Sequence, residues 1–461
     1  MKNKYAKDVG MQAIARIGGG LISFISVFIL TYLFDESQIG QYNLILSSLN
    51  VIISIFTLWL SQGILRYYDG NDQLEFVFSS MFFSGILCVF SFFTFNILTK
   101  QTVSIHAYIY IFALVFYNVV DALFRKERKL LSYVVLELLL SISRLFPMII
   151  IAILTKNYNA IFISQYLIMF IYIIIYIYKS KILKSCTLNI DKEMLCRYLK
   201  FGFPLLGLSI SNWFLTSSDR YIIKYFENDY SVGIYSTNYS LANSIYMMMA
   251  LIIINAFHPM IVKCWDKNKE EGVNLTSKVL NYYLIFIIPI VFYGCLKSKI
   301  LLSLFKSDSY SEFNNIFVWT VLGIFVYGLS LLYHKYFELT QNTIRILVYN
   351  IFSAILNVIL NFMLIPYYGF SVAAFTTFIS YVFYLIIVRI TTFKVFKIKF
   401  SLFNTAKIIL LIIIFWLLDY LIPHPNNIFS FLIEGLIFII YIIFTYQITK
   451  VIDLKELIKF R

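Results

Sequence analysis

The chain has 461 residues, 60% of them hydrophobic and only 13% charged, with a net charge of +14 and a mean hydropathy of +0.81. A soluble domain carries roughly 25% charged residues, and a folded surface in water could not hide this much apolar area. A soluble fold is excluded, and with it the nucleic-acid partner that so basic a chain would otherwise suggest.

About 20 consecutive apolar residues cross a ~30 Å hydrocarbon core. By that measure helices are predicted over 11–34, 42–65, 76–98, 105–124, 131–154, 159–178, 201–224, 232–258, 279–296, 315–337, 345–365, 370–390, 404–422 and 428–448. The runs do not alternate apolar and polar residues as barrel strands would. The first is longer than a signal-peptide core and no small-residue cleavage pattern follows it, so it is expected to stay as the first span. The predicted class is an all-α polytopic membrane protein with about fourteen transmembrane helices.

Arg16 stands one turn into the first helix, before Gly18-Gly19-Gly20. It is either a cavity cation near an inner gate or an interfacial residue whose head snorkels to the lipid headgroups. Arg66 ends the second helix. Arg144 sits in the middle of the fifth, with Glu137 seven residues earlier. A charge at that depth is a functional-site hypothesis by default: a cavity cation tuned by a titratable carboxylate, or half of a structural ion pair. The segment 179–200 reads as a cytoplasmic connector. The outer part of the seventh helix carries Asp219, Arg220 and Lys224, where Asp219 either couples transport to an ion or neutralises its basic neighbours. Asn350, Asn357 and Asn361 share one helix face, suited to interhelical hydrogen bonds. Asp121, Glu338 and Glu434 are further membrane carboxylates whose partners the sequence does not reveal.

With the N-terminus placed inside, Lys and Arg of the inner segments outnumber those of the outer ones roughly fourfold, the bias of a cytoplasmic side. Both termini are therefore expected in the cytoplasm. The chain also repeats. FDESQIGQY, with Gly40 and Tyr42, precedes the second span; FENDYSVGIY, with Gly233 and Tyr235, precedes the eighth. The interval from Gly40 to Arg66 equals that from Gly233 to Pro259. Two pseudo-symmetric six-helix bundles of the same orientation are expected, 1–178 and 201–400, with an extra helix pair and tail at 401–461. Parallel repeats of this kind occur in transporters that rock one half against the other.

Cys88, Cys186, Cys196, Cys264 and Cys295 are widely spaced without a C-x-x-C, so neither a disulfide framework nor a zinc site is indicated. His106, His258, His334 and His424 are isolated, and no HExxH, GxxxxGK[ST] or GxSxG occurs. Metal hydrolase, ATPase and serine hydrolase chemistry have no support, and no metal or cofactor is expected.

The run FGFPLLGLSISNWFLTSSDRYIIKYFENDYSVGIYSTNYSLANSIY, with Lys200, Gly202 and Pro204, then Asp219-Arg220, then Val232, Gly233, Tyr235 and Ser236, resembles the oligosaccharidyl-lipid flippases of the MOP superfamily, the Wzx-type polysaccharide exporters. Asn357, Asn361, Pro366 and Gly369, and Arg125, Arg128 and Tyr133, fit the same pattern, which departs at Ser371. The resemblance implies a non-enzymatic flippase of the bacterial inner membrane, its halves forming a V around a cavity. Its substrate would be a polyprenyl-diphosphate-linked oligosaccharide for O-antigen, capsule or a similar surface polysaccharide. Its partners would be the bilayer and other polysaccharide-assembly membrane proteins. A diphosphate and sugars cannot cross hydrocarbon unaided, so Arg16, Arg66, Arg144, Arg220 and Lys224 are the candidate substrate-binding cations, with Asp219 and Glu137 as coupling carboxylates. A multidrug/cation antiporter of the same superfamily is the alternative, though such pumps usually stop at twelve helices. A membrane polysaccharide polymerase or glycosyltransferase ranks lower, because no outer loop is long enough for a catalytic domain.

A reporter fused at the C-terminus should behave as cytoplasmic, and one inserted near Asn427 as external. The reverse pattern at either site would overturn the helix count.

Overall fold

The protein is described by a computed structural model covering residues 2–70, 73–127, 129–180, 191–421, 428–449 and 451. Arg128, residues 181–190 of the connector, Cys186 among them, His424, Asn427 and the last ten residues lie outside the described residues, as does the side chain of Arg16. Every regular element among the described residues is helical, as hydrocarbon demands: with no water to bond, each backbone N–H and C=O must be paired within the segment.

The helices are α1 (Lys2–Leu33), α2 (Glu36–Tyr67), α3 (Leu74–Thr99), α4 (Ile105–Lys126), α5 (Leu130–Ser143), α6 (Phe146–Thr155), α7 (Asn159–Ser180), α8 (Lys192–Phe226), α9 (Asp229–Ala242), α10 (Met248–Lys267) and α11 (Lys269–Leu296). There follow the short α12 (Ser298–Leu302) and α13 (Ser309–Glu312), then α14 (Asn314–Tyr333), α15 (Lys335–Leu339), α16 (Thr343–Tyr368), α17 (Val372–Thr392), α18 (Leu402–Leu421) and α19 (Ile428–Ile448). Helix stands at each of the fourteen predicted positions. The fifth is split into α5 and α6, and α9 runs into α10 through a π turn at Asn243–Met247. Among the described residues twelve helices are long and apolar enough to cross a membrane. The other two are α1, of which Gly18–Leu33 is a shorter apolar stretch, and α8, whose charged residues lower its hydropathy.

By packing, the chain forms two compact units, Met1–Thr237 with Ala354–Pro366, and Asn238–Ser353 with Tyr367–Arg461. Helix α8, whose first turns already occupy 192–200 of the expected connector, thus belongs by contact to the first unit.

In the first unit α8 lies along α2. Trp213 Nε1 donates to the Ser47 carbonyl at 2.8 Å and Tyr221 OH to the Leu44 carbonyl at 2.7 Å. Gly202 sits against the backbone of Trp59, where a Cβ would collide with its Cα. The Gly of the Gly-x-Pro step is therefore a packing requirement. Tyr198 extends the seam, its ring 5.8 Å from Tyr67 and 5.2 Å from Phe76.

In the second unit α14 and α17 meet through rings, Trp319 on Phe375 at 4.8 Å and Tyr327 on Tyr381 at 4.8 Å. The C-terminal pair α18 and α19 docks on α11 through Ile285, Ile408, Ile412, Phe415, Phe438 and Ile442. Lys297, just past α11, pins that pair: its Nζ lies 2.8 Å from Asp419 of α18 and 2.6 Å from Glu434 of α19. Glu434 has the partner the sequence could not supply, from a residue far away in the chain. Burial disfavours the Lys297 ammonium, but the hydrogen bonds to Asp419 and Glu434 outweigh it and raise its pKa above the ordinary lysine value. The clamp therefore contributes fully at neutral pH and fades only as pH rises through that elevated value.

Lys297→Met removes the cation that two buried carboxylates share. It should lower stability by ~3–5 kcal/mol, the cost of breaking a buried pair from one side. An unchanged melting temperature in purified protein would show that the clamp does not hold the helix pair.

Candidate membrane transport site

The break in the fifth span is local chemistry. Pro147 has no N–H, so the Ser143 carbonyl lacks its i+4 donor and the helix cannot run through. The chain tightens instead: Arg144 N–H bonds the Ser141 carbonyl at 3.1 Å and Leu145 N–H the Ile142 carbonyl at 2.9 Å. The ladder resumes with Ile149 N–H to the Leu145 carbonyl at 2.9 Å. Irregular backbone at membrane depth is tolerated only where it is buried in protein or lines a cavity, and discontinuous helices are where transporters build binding sites. The signal for the break in the sequence is Pro147, three residues after Arg144.

Arg144 caps the first half of this split span. Its side chain is half-buried, its Nε has no hydrogen-bond partner, and no ion pair joins it to Glu137 among the described residues. Glu137 instead accepts from Tyr117 OH at 2.7 Å. Arg144 lies within electrostatic reach of the buried phenols Tyr42 and Tyr110, the latter bonded to Gln165 at 3.1 Å. A guanidinium with no counter-charge among the described residues therefore lies near polar groups of α2, α4 and α7. Nearby, Asp121 pairs with Arg125 one turn on, at 2.5 Å. On the same unit α1 packs by Gly18 and Gly19 against Leu138 and Ser141 of α5, which brings the helix bearing Arg16 alongside the one bearing Arg144.

Arg220 has a different setting. Asp219 is 1% exposed and Arg220 8%. The guanidinium donates to Ser236 Oγ at 3.2 Å and to the Thr216 carbonyl at 2.9 Å, with Asp219 at 3.7 Å. Tyr235 OH donates to the other oxygen of Asp219. The Asp-Arg and Val-Gly-x-Tyr-Ser steps thus lock α8 to α9.

The turn end of the first unit, where α1 passes into α2 and α8 into α9, holds the repeat glycines. Gly40 and Gly233 are each the fifth residue of their helix, α2 and α9. A Cβ on Gly40 would strike the carbonyl of Asp229, and one on Gly233 the carbonyl of Glu36. Each struck carbonyl belongs to the residue four before the other glycine, so the crossing is reciprocal. Lys224 pairs with Asp229 at 2.7 Å, and Gln41 Nε2 reaches the same carboxylate at 3.3 Å.

Arg66 is exposed at the opposite end, its guanidinium 4.6 Å above the Phe201 ring, with Arg197 4.3 Å above Tyr67. Lys126 Nζ accompanies it, donating to the last carbonyls of α2 at 3.2 and 3.3 Å.

Glu338, the remaining carboxylate, lies in the second unit within a set of its own. It bonds Lys335 Nζ at 2.6 Å and His334 Nε2 at 3.1 Å, while His334 Nδ1 meets Tyr384 OH at 2.9 Å. Asn357 and Asn361, both fully buried, hydrogen-bond each other at 3.2 Å along α16, a bond within one helix and not the interhelical one expected from their shared face.

A family model, "Polysaccharide biosynthesis protein", matches residues 45–315, more than half of the chain. The chain belongs to this family. No curated protein matches it by sequence. Its fold is similar to that of "Lipid II flippase MurJ, inward closed conformation", with a TM-score of 0.77 and 16% identity over 95% of this chain and 98% of that one. It is also similar to an inward-facing multidrug resistance MATE family transporter of the MOP superfamily, with a TM-score of 0.60 and 15% identity over 83% of this chain and 97% of that one. The fold is thus shared with the MurJ and MATE structures, and together with the family match the MOP-superfamily resemblance read from the sequence holds.

The two arginines should separate by stability. Asp219→Ala leaves Arg220 buried without its carboxylate and should cost ~3–5 kcal/mol. Arg144→Ala removes no partner and should leave the melting temperature near that of wild type. Equal loss in both would show that Arg144 is structural.

Proposed function

We propose that the protein is a flippase that carries a polyprenyl-diphosphate-linked oligosaccharide from the inner to the outer leaflet by alternating access, without enzymatic chemistry of its own. Two bodies of the chain rock against each other, with α8 moving as part of the first, and both termini stay in the cytoplasm of the bacterial cell. All fourteen helices span the membrane, α1 and α8 included. The turn end with Gly40 and Gly233 is then the outer end.

The observation that carries this reading is Arg144: a guanidinium without a counter-ion, at a break in a membrane helix, in a chain of the polysaccharide biosynthesis family. A diphosphate supplies the missing anion, and its desolvation in hydrocarbon is the barrier the protein has to lower. Arg66, stacked and exposed at the inner end, together with Arg16, would receive the headgroup. Lys224 would meet it at the outer end. Arg220, wrapped by Asp219, Ser236 and Thr216, serves mainly to hold the outer turn. Glu137, bonded only by a phenol among the described residues, is the better placed of the two coupling carboxylates, since Asp219 is engaged by Tyr235 and Arg220. The Gly40–Gly233 crossing supports a closed outer end, because two helices in backbone contact leave no opening between them.

The antiporter reading has the MATE likeness in its favour, but that likeness spans 83% of the chain, against 95% for the MurJ structure. An unpaired guanidinium also suits an anion better than a cationic drug.

In proteoliposomes, a fluorescent polyprenyl-diphosphate-linked oligosaccharide should be translocated by the wild type. Arg144→Ala should slow it roughly ten- to a hundredfold, the value of a charged hydrogen bond, and Arg144→Lys should keep part of the rate, charge without the bidentate fork. Undiminished translocation by Arg144→Ala would remove the site. Efflux of a cationic dye with no lipid flipping would establish the antiporter.

A further inference from the structure

We propose that one flank of the α2–α8 seam is a recognition surface for sugar hydroxyls of the carried glycan, built around Asn50 of α2 and Asn212 of α8.

The seam fixes which way these side chains turn. Ser47 meets Trp213, Trp59 meets Gly202 and Gly63 meets the ring of Tyr198, so the two helices run antiparallel. Along α2 the seam recurs every four places, at 47, 59, 63 and, against the Tyr198 ring, 67. Each step along a right-handed helix turns the side chain by about 100°. In an antiparallel pair, one step back along either helix therefore turns to the same flank. Asn50, Ser54, Gln62 and Arg66 stand one step before that four-residue series on α2, and Asn212 stands one step before Trp213 on α8. One step after the seam residues of α8, on the other flank, come Leu199, Phe203 and Phe214, all exposed. The seam thus divides an apolar flank, suited to lipid, from a polar one.

The polar flank lies deep in the span. Asn50 is near the middle of α2. Counted from the Ser47–Trp213 contact, Asn212 is within about 3 Å of the same depth. Both asparagines are exposed, and neither amide is hydrogen-bonded among the described residues. The hydroxyls of Ser54 and Thr216 donate to the backbone carbonyls of Asn50 and Asn212, at 2.8 and 2.9 Å, and keep lone pairs that can accept. Polar groups at this depth face a bundle interior or water, because hydrocarbon leaves an amide unsatisfied.

One ligand chemistry satisfies these amides. Each offers a donor and an acceptor side by side. A phosphate only accepts, and would leave both Oδ1 atoms without a donor. A metal or ammonium cation engages only oxygens, and would leave both Nδ2 groups without an acceptor. A sugar hydroxyl does both, so neighbouring hydroxyls of a neutral pyranose can donate to Oδ1 and accept from Nδ2. The side chains at mid-depth are all neutral, which leaves charge recognition to the arginines.

The inference rests on the flippase reading and adds to it the residues that read the glycan. In nanodiscs, a membrane-impermeant thiol reagent followed by peptide mapping should modify the introduced thiol of Asn50→Cys and Asn212→Cys and spare that of Phe203→Cys. Full-length protein is then titrated with undecaprenyl diphosphate carrying chitotriose and with bare undecaprenyl diphosphate, the bound lipid being counted by native mass spectrometry. Wild type should bind the glycosylated lipid roughly tenfold more tightly, the value of a pair of neutral hydrogen bonds. The double variant Asn50→Leu, Asn212→Leu should bind both lipids alike, with bare-lipid affinity and melting temperature unchanged, whereas Phe214→Leu keeps the preference. Equal binding of the two lipids by wild type, or a preference that survives in the double variant, would overturn the assignment. So would a lowered melting temperature, which marks the amides as helix-packing groups, or labelling at Phe203→Cys alone. Binding of neither lipid by any form would sink the flippase reading itself, and the assignment with it.

Discussion

Hydrocarbon does not solvate polar groups, and most features of this protein are responses to that fact. It makes the chain helical, since a helix pairs its own backbone. It also makes buried charges seek partners, and three carboxylates among the described residues find cationic ones. Asp121 takes Arg125, Glu338 takes Lys335 and His334, and Glu434 shares Lys297 with Asp419. Against that pattern Arg144 stands out. Its charge is kept at a cost of at least ~2.5 kcal/mol on lenient insertion scales, yet its Nε is bonded to nothing. That exception is what the proposed flippase reading rests on, with an anionic headgroup as the partner that arrives and leaves.

The same constraint separates Arg144 from Arg220. Both are membrane arginines, and charge alone does not distinguish them. Arg220 is surrounded by acceptors on its own helix and the next, so its desolvation is already compensated. The Asp-Arg step in α8 is accordingly a device for fixing α9 against α8, and it sets the register in which Gly233 reaches α2.

That register explains why the repeat matters. Gly40 and Gly233 occupy the same position in their helices, and each packs on the backbone one turn before the other. The absence of two methyl groups is what allows the crossing, so a duplicated sequence motif has become a reciprocal contact. Asp229 is held by Lys224 and Gln41 beside that contact.

Much of this was legible in the sequence because the bilayer reads one-dimensional properties. The length and hydropathy of each run placed a helix at all fourteen positions, since solvation by lipid depends on local composition rather than on neighbours. The glycine repeat and the family resemblance are likewise linear patterns. What the tertiary structure decided is which polar groups meet. Lys297 with Asp419 and Glu434 joins three separate helices, and Tyr117 rather than Arg144 takes Glu137. Arg66 rests on Phe201, across the α2–α8 seam. None of these pairings is encoded in spacing along one helix, because a side chain in hydrocarbon pairs with whatever the packing brings within about 3 Å of it. The break beside Arg144 lies between the two cases. Pro147 announced it, but only the fold shows that the charge it exposes is left without a partner.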